Sequence, residues 1–246
     1  MRYLLILCLL ILTTGANAQL LQLHYDARHT LDPERNPKNY ATLYFEYFKP
    51  AANSDTTFIK RGAFLLKLQA DFTGDKANIG KYYMQVSQEV RFWQPKIYLN
   101  LQYSGGLGVT EPKQYSYYIL NTYSVGVSYP FKWGSAYMSS VLNFKYVPYA
   151  KPSKDFLYTL YFYKGLFNYR AEFSGDFSIW TENKDHGDEY TAGLQGKRFF
   201  FFAEPQFWYN LNKTIALGTK VNTNYHVLTT DNVLQIYPTA AIRVKL

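Results

Sequence analysis

Residues 166–180 read LFNYRAEFSGDFSIW. At a period of two, Phe167, Tyr169, Ala171, Phe173, Gly175, Phe177 and Ile179 share one side of an extended chain. Asn168, Arg170, Glu172, Ser174, Asp176, Ser178 and Trp180 share the other. Arg170, Glu172 and Asp176 on one side cannot enter a dry core, and the largely apolar side would aggregate in water. A strand with lipid outside and an aqueous lumen inside satisfies both faces.

The pattern recurs across the chain. In YYMQVSQEVRF, Tyr82, Met84, Val86, Val90 and Phe92 oppose Tyr83, Gln85, Ser87, Glu89 and Arg91. In FLLKLQADF, Phe64, Leu66, Leu68, Ala70 and Phe72 oppose Leu65, Lys67, Gln69 and Asp71. In KRFFFFAEPQFWYNLNK, residues 197–213, Ala203, Pro205, Phe207 and Tyr209 oppose Glu204, Gln206, Trp208 and Asn210. Here the four successive phenylalanines, Phe199 to Phe202, read as lipid-facing wall and interfacial girdle. The last residues, YPTAAIRVKL, alternate in the same way up to Leu246.

Between turn signals the sequence predicts strands near 20–27, 39–48, 62–72, 81–92, 96–104 and 115–129. Six more are expected near 135–147, 155–163, 166–181, 195–210, 213–226 and 234–246. Twelve is even, as single-chain bacterial barrels require. The connections support that reading. WQP, PFKWG, KG and LNK are brief, whereas RHTLDPERNPK, GLGVTEPKQ, ENKDHGDEY and VLTTDNV are longer and more polar; only PAANSDTTFIKR breaks the alternation. Short turns on one side of a membrane and longer loops on the other have this parity. The expected fold is all-β: a twelve-stranded antiparallel transmembrane β-barrel of the outer membrane.

The chain opens MRYLLILCLLILTTGANAQ, with one basic residue, an apolar run from Leu4 to Leu12, and Ala16-Asn17-Ala18 before Gln19. This reads as a secretory signal peptide over residues 1–18, leaving a barrel domain over 19–246. The apolar run is about half the roughly 20 residues a spanning helix needs. Cys8, the only cysteine, lies within it, so the mature chain is expected to carry no thiol. An exported chain of this size whose mature part carries no thiol fits the envelope of a Gram-negative bacterium better than a disulfide-stapled scaffold.

Lys and Arg number 26 against 18 Asp and Glu, a net charge of +8; without Arg2 it is 25 − 18 = +7. The basic residues are scattered with no run that makes a patch, and export argues further against a nucleic-acid partner. The 25 Tyr and 18 Phe raise aromatics to 19%, as girdles on strands would.

Chemistry is sparse. His24, His29, His186 and His226 are far apart and lack zinc-ligand spacing. Glu182, Asp185, Asp188 and Glu189 lack the ligand order of a calcium loop and read as a solvated outer loop. No G-x-S-x-G elbow occurs. The sequence therefore predicts no catalytic residue, no metal and no cofactor, and the chain is not expected to be an enzyme. What stands out is the inward polar set. As a solute path we single out Glu46, Tyr83, Glu89, Arg91, Arg170, Glu172, Asp176, Glu204, Gln206 and Trp208. Carboxylates and amides would bond hydroxyls and bases, and Trp208 would stack on a flat ring. Glu46, Arg91, Glu204 and Gln206 are expected to border the narrowest part. Barrels of about eight strands are filled and those of 16 or more hold open channels, so twelve predicts a narrow, selective lumen.

The stretches LQLHYD, YFEYFKP, EVRFW, EPQFWYNLN and YPTAAIRV together resemble an uncharacterised outer-membrane family related to the nucleoside-specific, Tsx-like channels. The resemblance runs from about residue 21 to the end. It implies a monomeric twelve-stranded barrel in outer-membrane lipid that passes small polar solutes such as nucleosides. It does not carry over individual nucleoside contacts. Two other classes remain open: a surface-binding or structural barrel with a plugged lumen, and an outer-membrane enzyme acting on lipid. Circular dichroism of the protein purified in detergent should report strand with almost no helix, and the band should be heat-modifiable on electrophoresis. Substantial helix would sink the barrel reading.

Overall fold

The computed structural model describes residues 18–51, 58–93, 95–110, 115–227, 229 and 231–246. Apart from Ala18, which opens the first strand, the expected signal segment lies outside them, as do parts of the connections PAANSDTTFIKR, WQP, GLGVTEPKQ and VLTTDNV. The strands are β1 (Ala18–Asp26), β2 (Tyr40–Lys49), β3 (Lys60–Asp71), β4 (Lys81–Arg91), β5 (Tyr98–Val109) and β6 (Ser116–Trp133). They continue as β7 (Ala136–Val147), β8 (Ser153–Leu166), β9 (Ala171–Asn183), β10 (Lys197–Ala203), β11 (Gln206–Asn210), β12 (Ile215–Tyr225) and β13 (Gln235–Lys245). A single helical turn, α1 (Arg28–Leu31), sits between β1 and β2.

From β1 to β9 each strand pairs antiparallel with its chain neighbours, β10 and β11 both lie between β9 and β12, and β1 pairs with β13 from Leu20 opposite Lys245 to Asp26 opposite Thr239. The sheet therefore closes on itself. The backbone N–H of Leu246 extends the seam by donating to Gln19 O at 2.9 Å. Closure leaves no edge, which matters most where no water can bond a free N–H or C=O.

β10 and β11 are two halves of one wall strand, so the wall has the twelve strands the sequence predicts. Their register against β9 is unbroken, with Ala203 opposite Phe177 and Gln206 opposite Ser174. The interruption is Pro205, which has no N–H to give the ladder. Its carbonyl still accepts from Val221 N at 2.9 Å, and Glu204 N donates to Asp176 O at 3.0 Å. Facing Pro205 is Gly175, at φ +148°, where an added Cβ would lie 2.4 Å from Glu204 O and 2.8 Å from Pro205 Cα. The proline is tolerated because its partner strand carries no side chain there.

Face alternation follows the expected register on most strands. Phe173 and Phe177 face outward and are exposed, while Glu172 and Asp176 are turned inward and buried. Three details differ. The reversal after β8 comes at residues 167–170, not at Lys164–Gly165, which lie within β8. Phe167, Asn168 and Tyr169 take left-handed φ of 51°, 53° and 62°, and the Tyr169 ring lies over Gly165, where a Cβ would meet it at 2.5 Å. Since Phe-Asn-Tyr-Arg continues the alternation, the turn has no sequence marker. Arg170 is consequently an exposed turn residue and not a lumen residue. Second, β6 runs on through Pro130 to Trp133 and reverses at Gly134, at φ +58°. Third, the four phenylalanines do not all face lipid. Phe199 is exposed outward, whereas Phe200 stacks on the inward Trp180 with centroids 5.2 Å apart, and Phe202 stands opposite Ser178 and Asn224.

Connections at the end where β1 starts and β13 finishes include the tight reversals at 134–135, 167–170 and 211–214. The opposite end carries 27–39, 72–80 and 184–196, so the expected parity holds for most connections. Aromatic side chains ring both ends of the outer wall. Trp133 and the stacked Tyr129–Phe131 pair mark the short-turn end, and Tyr25, Tyr82 and Tyr118 mark the long-loop end. Amphipathic rings belong at the boundary between hydrocarbon and water.

Replacing Gly175 with alanine should destabilise the barrel by about 1–3 kcal/mol, because the Cβ meets the Glu204–Pro205 backbone at a strained φ. A fall in the urea midpoint for folding into lipid vesicles would show it. An unchanged midpoint would mean that the two strands separate there without cost.

Candidate functional site in the lumen

The inward faces meet each other across the barrel. Lys67 on β3 reaches Asp176 on β9 at 3.0 Å, with both side chains 9% exposed. Gln85 on β4 donates to Tyr161 Oη on β8 at 3.2 Å, and Asn143 on β7 donates to Asn100 on β5 at 3.0 Å. Contacts from β3 to β9, β4 to β8 and β5 to β7 nest around β6, so the cross-section is flattened with β6 at one end. At the other end, His24 on β1 meets Trp208 on β11, and Lys220 on β12 lies over the Tyr44 ring of β2 at 4.9 Å.

At mid-height the charges form one lattice. Lys220 Nζ lies 2.6 Å from Glu204 Oε1, both almost wholly buried. Tyr44, under the Lys220 ammonium, donates its hydroxyl to Glu46 Oε2 at 3.0 Å. Thus Lys67, Asp176, Lys220, Glu204, Tyr44 and Glu46 lie in neighbouring contacts. Buried charges persist only when paired or hydrogen-bonded, and each of these is. Toward the short-turn end, Glu172 binds Arg243 and Lys245, each at 2.6 Å, and accepts from Asn210 at 2.8 Å. Toward the long-loop end, Asp71 holds Lys81 at 2.7 Å and accepts from Thr42 and Gln69, while Lys145 pairs with Glu182.

Of the residues expected to line a path, Glu46, Asp176 and Glu204 are brought together at mid-height, with Glu172 one layer toward the short turns. Gln206 accepts from Trp208 Nε1 at 3.0 Å. Trp208 is not available for stacking on a solute: it is 0% exposed, with the Arg243 guanidinium 4.6 Å above its ring and His24 at its edge. Tyr83 faces inward opposite Gln69. Glu89 is buried nearer the short turns and accepts from Ala63 N at 3.1 Å, beside a β-bulge between Arg61 and Phe64. The chain passes so close that a Cβ on Gly62 would lie 2.4 Å from Glu89 Cβ. Arg91 sits at the rim, donating to Pro95 O at 3.2 Å with its guanidinium over Tyr98, so it does not join the mid-height lattice. Arg170, in its turn, does not either.

Lys67, Lys220, Tyr44, Tyr161 and Arg243 belong to the site but were not singled out as path residues. Their inward parity is readable; their partners on facing strands are not. In the outer loop, Asp185 binds Lys151 at 2.6 Å and accepts from Gly187 N at 2.8 Å, which holds its carboxyl below the usual range. Asp188 is held low by Thr191, whose hydroxyl and N–H both reach it at 2.8 Å. These carboxylates order the loop.

An apolar outer wall, aromatic rings at both ends, a closed seam and a charged lumen define a barrel of the outer-membrane type. The chain belongs to the family described as domain of unknown function DUF5020, whose model matches residues 18–246. No curated protein matches. Among solved structures it is similar to LpxR from Salmonella typhimurium, with a TM-score of 0.44 and 9% identity over 93% of this chain and 100% of that one. It is also similar to the outer membrane protein Omp33 of Acinetobacter baumannii, with a TM-score of 0.39 and 9% identity over 95% and 100% of the two chains.

Replacing Lys67 alone with methionine should cost about 3–5 kcal/mol, because Asp176 is left charged and buried. Pairing Lys67→Met with Asp176→Leu should recover most of that loss. Urea unfolding from vesicles measures both, and a single variant as stable as the parent would remove the lattice from the account of stability.

Proposed function

We propose that this chain is a monomeric barrel of the Gram-negative outer membrane that passes small, uncharged polar solutes through a narrow lumen, with nucleosides the favoured class. The observation that carries the reading is the mid-height lattice. Lys67 and Lys220 against Asp176, Glu204 and Glu46 set both signs side by side at one height, so neither cations nor anions have an unopposed path. A neutral solute rich in hydroxyls and amides can exchange hydrogen bonds with these groups as the long lysine stems swing aside. The resemblance of the Glu46, Arg91 and Glu204–Trp208 stretches to Tsx-like channels supports nucleosides in particular. The barrel acts by passage and not by catalysis, with outer-membrane lipid as its surroundings.

A second reading is a sealed barrel in which the lattice only braces the wall. It is favoured by the contacts that cross the flattened lumen and by the complete burial of Trp208, which removes the stacking platform. Liposome swelling and planar-bilayer conductance separate the two. Replacing Glu204 and Gln206 with alanine should change nucleoside flux several-fold relative to a sugar of similar size, and Lys67→Ala with Asp176→Ala should raise conductance. A parent and variants that fold but pass neither ion nor solute would establish the sealed barrel instead.

A further inference from the structure

The outer wall is not uniform. Along its long-loop half, the outward positions of the strands carry apolar, aromatic or small uncharged residues, except on β8 and β10. There, among the described residues, Lys154 and Lys197 are the only charged side chains facing out. Between and below them lies a groove of about 460 Å³ whose lining includes Phe144, Phe156, Ile179 and Phe199, together with the Asp155 carboxylate that Lys197 neutralises. A second hollow of about 470 Å³, lined in part by Leu101 and Val125, meets it at Phe144 and continues along the wall. The furrow thus runs from a cationic rim down an apolar surface.

The two lysines are not equivalent. Lys197 is tied to the carboxylate of Asp155 and to Lys154 O at 3.0 Å. Lys154 is exposed, and among the described residues its ammonium has no carboxylate partner. The phenylalanines below it are exposed as well, Phe156 at 66% and Phe199 at 48%. An unneutralised cation above an aromatic furrow, at the end with the longer loops, is complementary to an amphiphile with an anionic head and several acyl chains.

The geometry points to a binding site for a phosphorylated glycolipid of the outer leaflet, seated with a phosphate at Lys154 and acyl chains along the furrow past Phe156 and Phe144. Phosphate attraction to a lysine at a membrane surface adds to burial of the chains against the aromatic wall. The site rests on the membrane-spanning reading but not on solute passage. A barrel that binds the lipid and conducts nothing leaves it standing.

Native mass spectrometry of the full chain in detergent, with diphosphoryl lipid A and its dephosphorylated form as probes, tests it. The parent should retain one diphosphoryl lipid A in preference to the dephosphorylated form. Lys154→Ala should weaken retention of the phosphorylated probe about fivefold and leave the other unchanged. Phe156→Ala, at an exposed position that should not disturb folding, should weaken both. Equal retention of the two probes by the parent, or an unchanged preference in Lys154→Ala with the heat-modifiable fold intact, would overturn the assignment.

Discussion

The closure of β1 onto β13 is the constraint from which the rest of the molecule follows. In hydrocarbon an unpaired backbone N–H or C=O costs several kcal/mol, so a sheet can cross only if its two edges bond each other. Seven successive residue pairs, from Leu20–Lys245 to Asp26–Thr239, make that seam. Once it forms, every strand has one face outside and one inside, and each side chain's surroundings are set by parity. Even the chain's internal proline obeys it: Pro205 forfeits its own N–H, yet the neighbouring ladder bonds are kept because Gly175 makes room.

Parity alone would leave a tube lined with charges, and the flattened section turns that lining into contacts. With opposite walls within reach, Lys67 meets Asp176 and Gln85 meets Tyr161 across the lumen. A rounder barrel of the same sequence would leave these groups to water. The lattice therefore depends on barrel shape, and it ties together strands that are distant around the wall. Around the outside, interfacial aromatics fix the barrel's height in the bilayer, and Lys154 is, among the described residues, the uncompensated outward cation of the long-loop half.

Much of this is local and therefore readable from residue order. Glu172 and Asp176 alternating with Phe173 and Phe177 reveal the two faces, because side-chain direction repeats every two residues whatever the strand pairs with. Local pattern and chain path part company in two places. Phe167 to Arg170 alternates as a strand would, yet it reverses. The run Phe199 to Phe202 looks uniformly greasy, yet Phe200 and Phe202 face inward, because hydrophobicity does not override the pleat.

The candidate site divides along the same line. By itself the sequence determined that twelve strands alternate, that Glu46, Asp176, Glu204 and Gln206 point inward, and that the long connections share one end. Each is a property of neighbours in the chain. Only the tertiary structure decided that Asp176 bonds Lys67 and Glu204 bonds Lys220, that Arg91 lies at a rim, and that Trp208 is sealed beneath Arg243. Those outcomes depend on shear, curvature and the flattening of the closed sheet, which bring together residues far apart in the chain, and no periodicity within a strand encodes which opposite wall it will touch.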